Sequence, residues 1–116
     1  MSIINRSALL VFHKKPLIDW QNEIYPTDLM EYEDTMKSHD HAHVYLTPEF
    51  DFEDEFNKWL QKNYKIVFED ILSDWCTDDK LWPKNLSFKL FGEWFHFIYQ
   101  SMVIDTLESE IERDED

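Results

Sequence analysis

The chain has very little glycine and cysteine. Its 116 residues include one glycine and one cysteine. A single glycine excludes a P-loop and a dinucleotide-binding fingerprint, because both motifs need several glycines where the backbone approaches a phosphate. A single cysteine excludes an internal disulfide and a zinc site built from thiolates.

Basic residues are also scarce relative to acidic ones. The chain carries 25 acidic and 11 basic side chains, which gives a formal net charge of −14 at pH 7. A nucleic-acid partner needs clustered lysine and arginine to neutralise its phosphates, so we expect no nucleic-acid binding. The negative charge instead favours encounters with basic protein surfaces.

Long apolar runs are absent from the sequence. The longest run near the start is Ala8 to Phe12, and a membrane-spanning helix needs roughly 20 such residues. No signal-peptide cleavage pattern follows this run. We therefore expect no membrane association and, with Cys76 as the lone cysteine, a cytoplasmic protein.

Hydrophobic patterning predicts one α+β domain over residues 1–106, followed by an acidic C-terminal tail over residues 107–116. Strands are predicted at Ser7–His13, at His43–Leu46 and, as the longest, at Phe95–Thr106. We expect about three strands packed against helices in a single small domain. A mainly α-helical protein is the alternative.

Two helical regions separate these strands. Pro16 suits the first turn of a short helix, which Pro26 ends. Over residues 51–75, apolar side chains recur at steps of three and four, which predicts one long helix or two consecutive helices with a break at Asn63.

The third helical region follows residue 77 and contains the only glycine. Thr77 and Ser87 are predicted N-caps. Gly92 either weakens the helix that follows Ser87 or marks a close approach of two backbones.

Several short motifs occur together along the chain. They are Asn5-Arg6-Ser7-Ala8, Pro16-Leu17-Ile18-Asp19-Trp20, Val44-Tyr45-Leu46-Thr47-Pro48-Glu49-Phe50, Trp75-Cys76-Thr77-Asp78, Leu81-Trp82-Pro83, Phe91-Gly92-Glu93-Trp94-Phe95 and Ser101-Met102-Val103-Ile104-Asp105. In this combination the chain resembles a group of short, acidic bacterial proteins of similar length, for which no activity is known. The resemblance extends to about residue 106. It implies a stand-alone bacterial domain in the cytoplasm and no particular mechanism.

A histidine-rich segment, His39-Asp40-His41-Ala42-His43, lies outside that pattern. On an extended strand, side chains two residues apart share a face, so His39, His41 and His43 could together hold Zn²⁺, Ni²⁺ or Cu²⁺. This predicts the alternative function, a metal-binding protein or metal-dependent enzyme. Incidental surface histidines that bind metal weakly or adventitiously explain the same pattern.

Two other segments are candidates for an interaction surface. One is an acidic run, which we define as Asp51, Glu53, Asp54 and Glu55. The other is a tryptophan turn, defined as residues 75–83, whose candidate residues are Trp75, Asp78, Asp79 and Trp82. Tryptophan is a common interface anchor, but the two tryptophans of the turn also suit packing onto the helices.

No catalytic residue is predicted. Cys76 has no local cysteine–histidine signature, and among 25 acids any chosen pair of carboxylates is uninformative. The sequence therefore favours a non-enzymatic acidic module that docks a basic protein partner and needs no cofactor. A homodimer is left open, because the edges of a three-stranded sheet need a partner, a cover or a charge.

Overall fold

The computed structural model describes residues 1–32 and 42–114. In chain order the elements are β1 (Ser2–Ile3), β2 (Ser7–His13), α1 (Lys15–Ile24), β3 (Ala42–Thr47), α2 (Glu53–Trp75), a 3-10 turn (Asp79–Leu81), α3 (Phe88–Trp94), β4 (Phe95–Gln100) and β5 (Ile104–Asp105). This part of the chain thus has three helices, a three-stranded sheet and a two-stranded ribbon. The predicted α+β class is confirmed.

The three-stranded sheet is antiparallel and has the order β3-β2-β4. β2 is central, which explains why both of its faces are apolar. The core includes Leu9 and Val11 from one face of β2. Leu10 and Phe12, on the other face, are only half-buried. The helices therefore cover one face of the sheet, which we call the inner face.

α2 is one continuous helix of 23 residues. Of the two predicted alternatives, one long helix is confirmed and a break at Asn63 is wrong. The Asn63 side chain donates from Nδ2 to the Trp59 carbonyl one turn earlier, at 2.8 Å. The side-chain amide of Asn63 thus has a hydrogen-bond partner within α2, and the helix continues without interruption. The helix buries one apolar stripe, as its periodicity predicts: Phe56, Leu60, Val67, Phe68, Ile71 and Leu72.

Aromatic rings join α2 to α3 and β4. Phe68 is fully buried, and its ring lies 5.8 Å from Phe91, 5.8 Å from Trp94 and 5.3 Å from Phe95 between centroids. The Phe68 and Phe95 rings are nearly perpendicular at 86°, an arrangement that the aromatic quadrupole favours. This cluster fixes the long helix on the sheet.

The last strand is shorter than the sequence predicts. β4 ends at Gln100, opposite Ala8, which is the second residue of β2. Beyond that point β2 offers no partner, and the chain pairs instead with the N-terminal segment. Ile104 lies opposite Ile3 in the two-stranded ribbon. The predicted single strand Phe95–Thr106 is therefore two strands in two sheets.

Of the two predicted N-caps, one is confirmed and the other is wrong. Ser87 is confirmed as the N-cap of α3, since its hydroxyl accepts from the Leu90 amide at 3.1 Å. Thr77 does not cap the 3-10 turn. Asp78 does so, through a carboxylate oxygen that accepts from the Lys80 amide at 3.1 Å, because the turn begins one residue later than predicted.

The remaining segments are irregular. Residues 107–114 of the tail form neither helix nor strand. Among the described helices, none combines the length and the hydropathy that crossing a bilayer requires.

A substitution at the single glycine, Gly92 in α3, tests whether the helix has room for a methyl group there. A Cβ placed on Gly92 meets no atom within 4 Å, so the residue does not mark a close approach. We expect Gly92→Ala to stabilise the protein by about 0.5–1 kcal/mol, because alanine loses less backbone entropy in a helix. Urea unfolding measures this change. A destabilised variant would show that the site has no room for a methyl group.

Candidate functional site

The acidic run lies at the N-terminal end of α2. All four of its carboxylate side chains are exposed. Phe52, within the run, has 69% of its surface exposed and is the residue that precedes the helix. Within the described part of the chain, none of the four carboxylates forms an ion pair with a basic side chain. The run is thus an un-neutralised anionic surface around an exposed aromatic ring.

The tryptophan turn is held tightly to the body of the protein. The Trp82 indole donates to the Cys76 carbonyl at 2.7 Å. The Trp20 indole on α1 donates to the Leu81 carbonyl at 2.9 Å. Asp78 caps the 3-10 turn. These contacts support the packing interpretation for Trp82 and Asp78, and an additional role in recognition stays a prediction.

One side of the turn borders an open cleft of about 330 Å³. Asp79 and Trp82 line it, together with Glu69, Lys65 and Lys84 on the charged side. Two lysines therefore accompany the two carboxylates. This end of the predicted surface therefore carries charges of both signs, whereas the acidic run carries only negative charges.

The structure does not bring the two predicted segments together. They lie at opposite ends of α2, whose 23 residues span about 34 Å at 1.5 Å per residue. The predicted interaction residues consequently form two separate surfaces.

Of the three candidate metal-ligating histidines, His39 and His41 lie outside the described residues. His43 lies on β3 opposite Val11, on the inner face of the sheet. Both of its ring nitrogens are engaged: Nδ1 lies 3.2 Å from Nε2 of His13, and Nε2 lies 2.9 Å from Oδ2 of Asp74. Binding a metal through His43 would disrupt one of these contacts.

The carboxylate sets one proton position in this His13–His43–Asp74 chain. Ionised Asp74 only accepts hydrogen bonds, so Nε2 of His43 carries a proton and donates it. The second contact, between Nδ1 of His43 and Nε2 of His13, joins one ring that donates to one that accepts. His13 is 5% exposed and lies against the rings of Trp75 and Phe95.

Tyr45, two residues along β3, makes a parallel contact. Its hydroxyl donates to Oδ2 of Asp70 at 2.7 Å, and its ring stacks on that of His43. Burial, followed by the hydrogen bond and the negative charges of Asp70 and Asp74, raises the pKa of the Tyr45 phenol well above its ordinary value. Two side-chain contacts therefore join the edge strand β3 to the C-terminal third of α2.

We did not predict this polar cluster, although its spacing was visible. His43 and Tyr45 are two apart on a strand, and Asp70 and Asp74 are four apart on a helix. Each pair shares a face of its element. His43 and Tyr45 can therefore contact Asp74 and Asp70 when the strand packs against the helix.

The ring nitrogens of His43 and the hydroxyl of Tyr45 are each held in a contact within the cluster. Across residues 1–32 and 42–114, no group of three or more histidine, cysteine, aspartate or glutamate side chains is arranged to hold a metal ion. The geometry favours a structural role for His43, Tyr45 and their partners.

The comparisons with known proteins identified no relative. No family model, no curated protein and no solved structure matches the chain. The resemblance to short acidic bacterial proteins therefore stays a prediction, and the function must be argued from the residues themselves.

The Tyr45 contact predicts a specific loss of stability in alkali. Because the pKa of Tyr45 is raised in the folded state, its contribution is complete below pH 10, where the unfolded phenol is protonated. It declines as pH rises above that value, since only the unfolded chain then releases the proton. For a half-buried ring the slope is at most about 1.4 kcal/mol per pH unit.

Urea unfolding of the wild type and of Tyr45→Phe between about pH 8 and pH 11 measures this effect. We expect the stability difference between them to shift against the wild type only above about pH 10. A difference that does not change with pH would contradict the Tyr45–Asp70 contact.

Proposed function

We propose that the protein is a non-enzymatic interaction module, acting in the bacterial cytoplasm, that docks a basic protein partner through the acidic run. The observation that carries the proposal is Phe52, 69% exposed and surrounded in sequence by four exposed carboxylates. These carboxylates have no basic partner within the described residues. The surface therefore offers an apolar anchor inside an anionic rim.

Helix stability accounts for only part of this arrangement. Glu53, Asp54 and Glu55 occupy the first turn of α2, where negative charge interacts favourably with the helix dipole. That effect does not explain an exposed phenylalanine just before the helix. Aromatic anchors with a polar rim are typical of binding hot spots, so a partner surface with an apolar pocket between lysines or arginines fits the run.

The tryptophan turn supplies a second contact only for an extended partner. The two surfaces are about 34 Å apart along α2, which an extended segment of roughly ten residues spans. Asp79 and Trp82 line the cleft at the far end, and a carboxylate beside an aromatic ring suits one cationic side chain. The acidic run is the primary contact because, within the described residues, none of its carboxylates forms an ion pair with a lysine or arginine.

Charge-neutral variants test the proposal. In one, Asp51→Asn, Glu53→Gln, Asp54→Asn and Glu55→Gln remove the charges of the acidic run. In a matched control, Glu23→Gln, Glu110→Gln, Glu112→Gln and Asp114→Asn remove four charges elsewhere. We expect affinity capture from host lysate at about 50 mM salt to recover one basic protein with the wild type and the control, but not with the first variant.

Two further capture experiments distinguish specific docking from non-specific electrostatic attraction. Capture should fail at about 500 mM salt, where the screening length falls to a few ångströms. It should also weaken in Phe52→Ser, which leaves the net charge unchanged. Equal losses in the first variant and its control, or no effect of Phe52→Ser, would refute docking at the acidic run.

A further inference from the structure

Both arginines of the chain line one groove at the edge of the three-stranded sheet. The groove has a volume of about 460 Å³, and its lining residues are Ile4, Asn5, Arg6, Leu46, Ile111 and Arg113. Arg6 and Arg113 are 107 residues apart in sequence, and no local sequence pattern indicates this groove. Pockets of some 300–1,000 Å³ are typical of small-molecule sites, so the groove is large enough for an organic ligand.

Three separate parts of the chain form the groove. Leu46 lies on β3 opposite Ala8, with 51% of its surface exposed. Ile4 and Arg6 lie in the link from β1 to β2, and the Ile4 amide donates to the Val103 carbonyl at 3.0 Å. The tail completes the groove with Ile111 and Arg113. At the start of the tail, Glu108 lies 3.2 Å from the N-terminal amine in an exposed ion pair.

The charge in the groove is opposite to that of the protein as a whole. Neither arginine forms an ion pair with a carboxylate of residues 1–32 or 42–114. The Arg6 guanidinium has five N–H donors, and within the described residues it makes one hydrogen bond, from Nη1 to the Asn5 carbonyl at 2.8 Å. Ile111 and Arg113 line the groove, whereas the acids beside them in sequence, Glu110, Glu112 and Asp114, do not. The groove is thus a local cationic site on an anionic chain.

We propose that this groove binds a small molecule with an oxyanion headgroup and a short apolar body. Guanidinium groups bind carboxylate and phosphate oxygens through paired N–H donors. Ile4, Leu46 and Ile111 supply the apolar surface for the body of the ligand. No lining residue belongs to the acidic run or to the tryptophan turn, so the proposal is independent of protein docking.

Octanoate and octyl phosphate are suitable probes, and octanol is the uncharged control with the same body. Titration of the ¹⁵N-labelled full chain, followed by amide chemical shifts, measures binding and its location. We expect saturable shifts at residues 4–6, 46 and 111–113 with one or both anions, and none with octanol. The relative affinities of the two anions distinguish a carboxylate ligand from a phosphate ligand.

Arginine variants test whether the headgroup sits between the two guanidinium groups. Arg6→Gln and Arg113→Gln should each weaken binding about tenfold, as expected for the loss of a charged hydrogen bond. Lys89→Gln, at an exposed position of α3, removes the same charge elsewhere and should leave affinity unchanged. Octanol binding equal to that of the anions, or arginine variants that bind like the wild type, would overturn the proposal.

Discussion

The burial of Phe68 between α2, α3 and β4 determines where the candidate surfaces lie. Its ring is fully buried against Phe91, Trp94 and Phe95, so α2 is fixed near its C-terminal third. From that point the rigid helix extends about 22 Å to its first residue, Glu53. The acidic run therefore lies well away from this aromatic cluster, while Asp70 and Asp74 lie close enough to meet the edge strand.

Local patterns predicted much of the fold. The strand Ser7–His13 and the long helix were visible as apolar runs and periodic stripes, and both occur in the structure. The errors arose where a distant segment decides the outcome. The strand after Phe95 stops at Gln100 because β2 begins at Ser7, nearly a hundred residues earlier in sequence. Nothing within residues 95–106 indicates that limit.

The candidate sites also differ in how far local sequence predicts them. The acidic run is contiguous in sequence and could be recognised by composition, but its distance from the tryptophan turn depends on α2 being unbroken at Asn63. The His13–His43–Asp74 chain and the groove lined by the two arginines join segments far apart in sequence. Arg6 and Arg113, for example, are brought together only by the pairing of β1 with β5 and the return of the tail.

The central claim is that the exposed N-terminal end of α2 recognises a basic partner. Amide chemical shifts of the ¹⁵N-labelled chain, recorded while the captured basic protein is added, test it most directly. The account predicts changes concentrated at residues 50–57, with weaker changes around Asp79 and Trp82 for an extended partner. Changes spread evenly over all acidic segments, or confined to the outer face of the sheet at Leu10 and Val44, would contradict it.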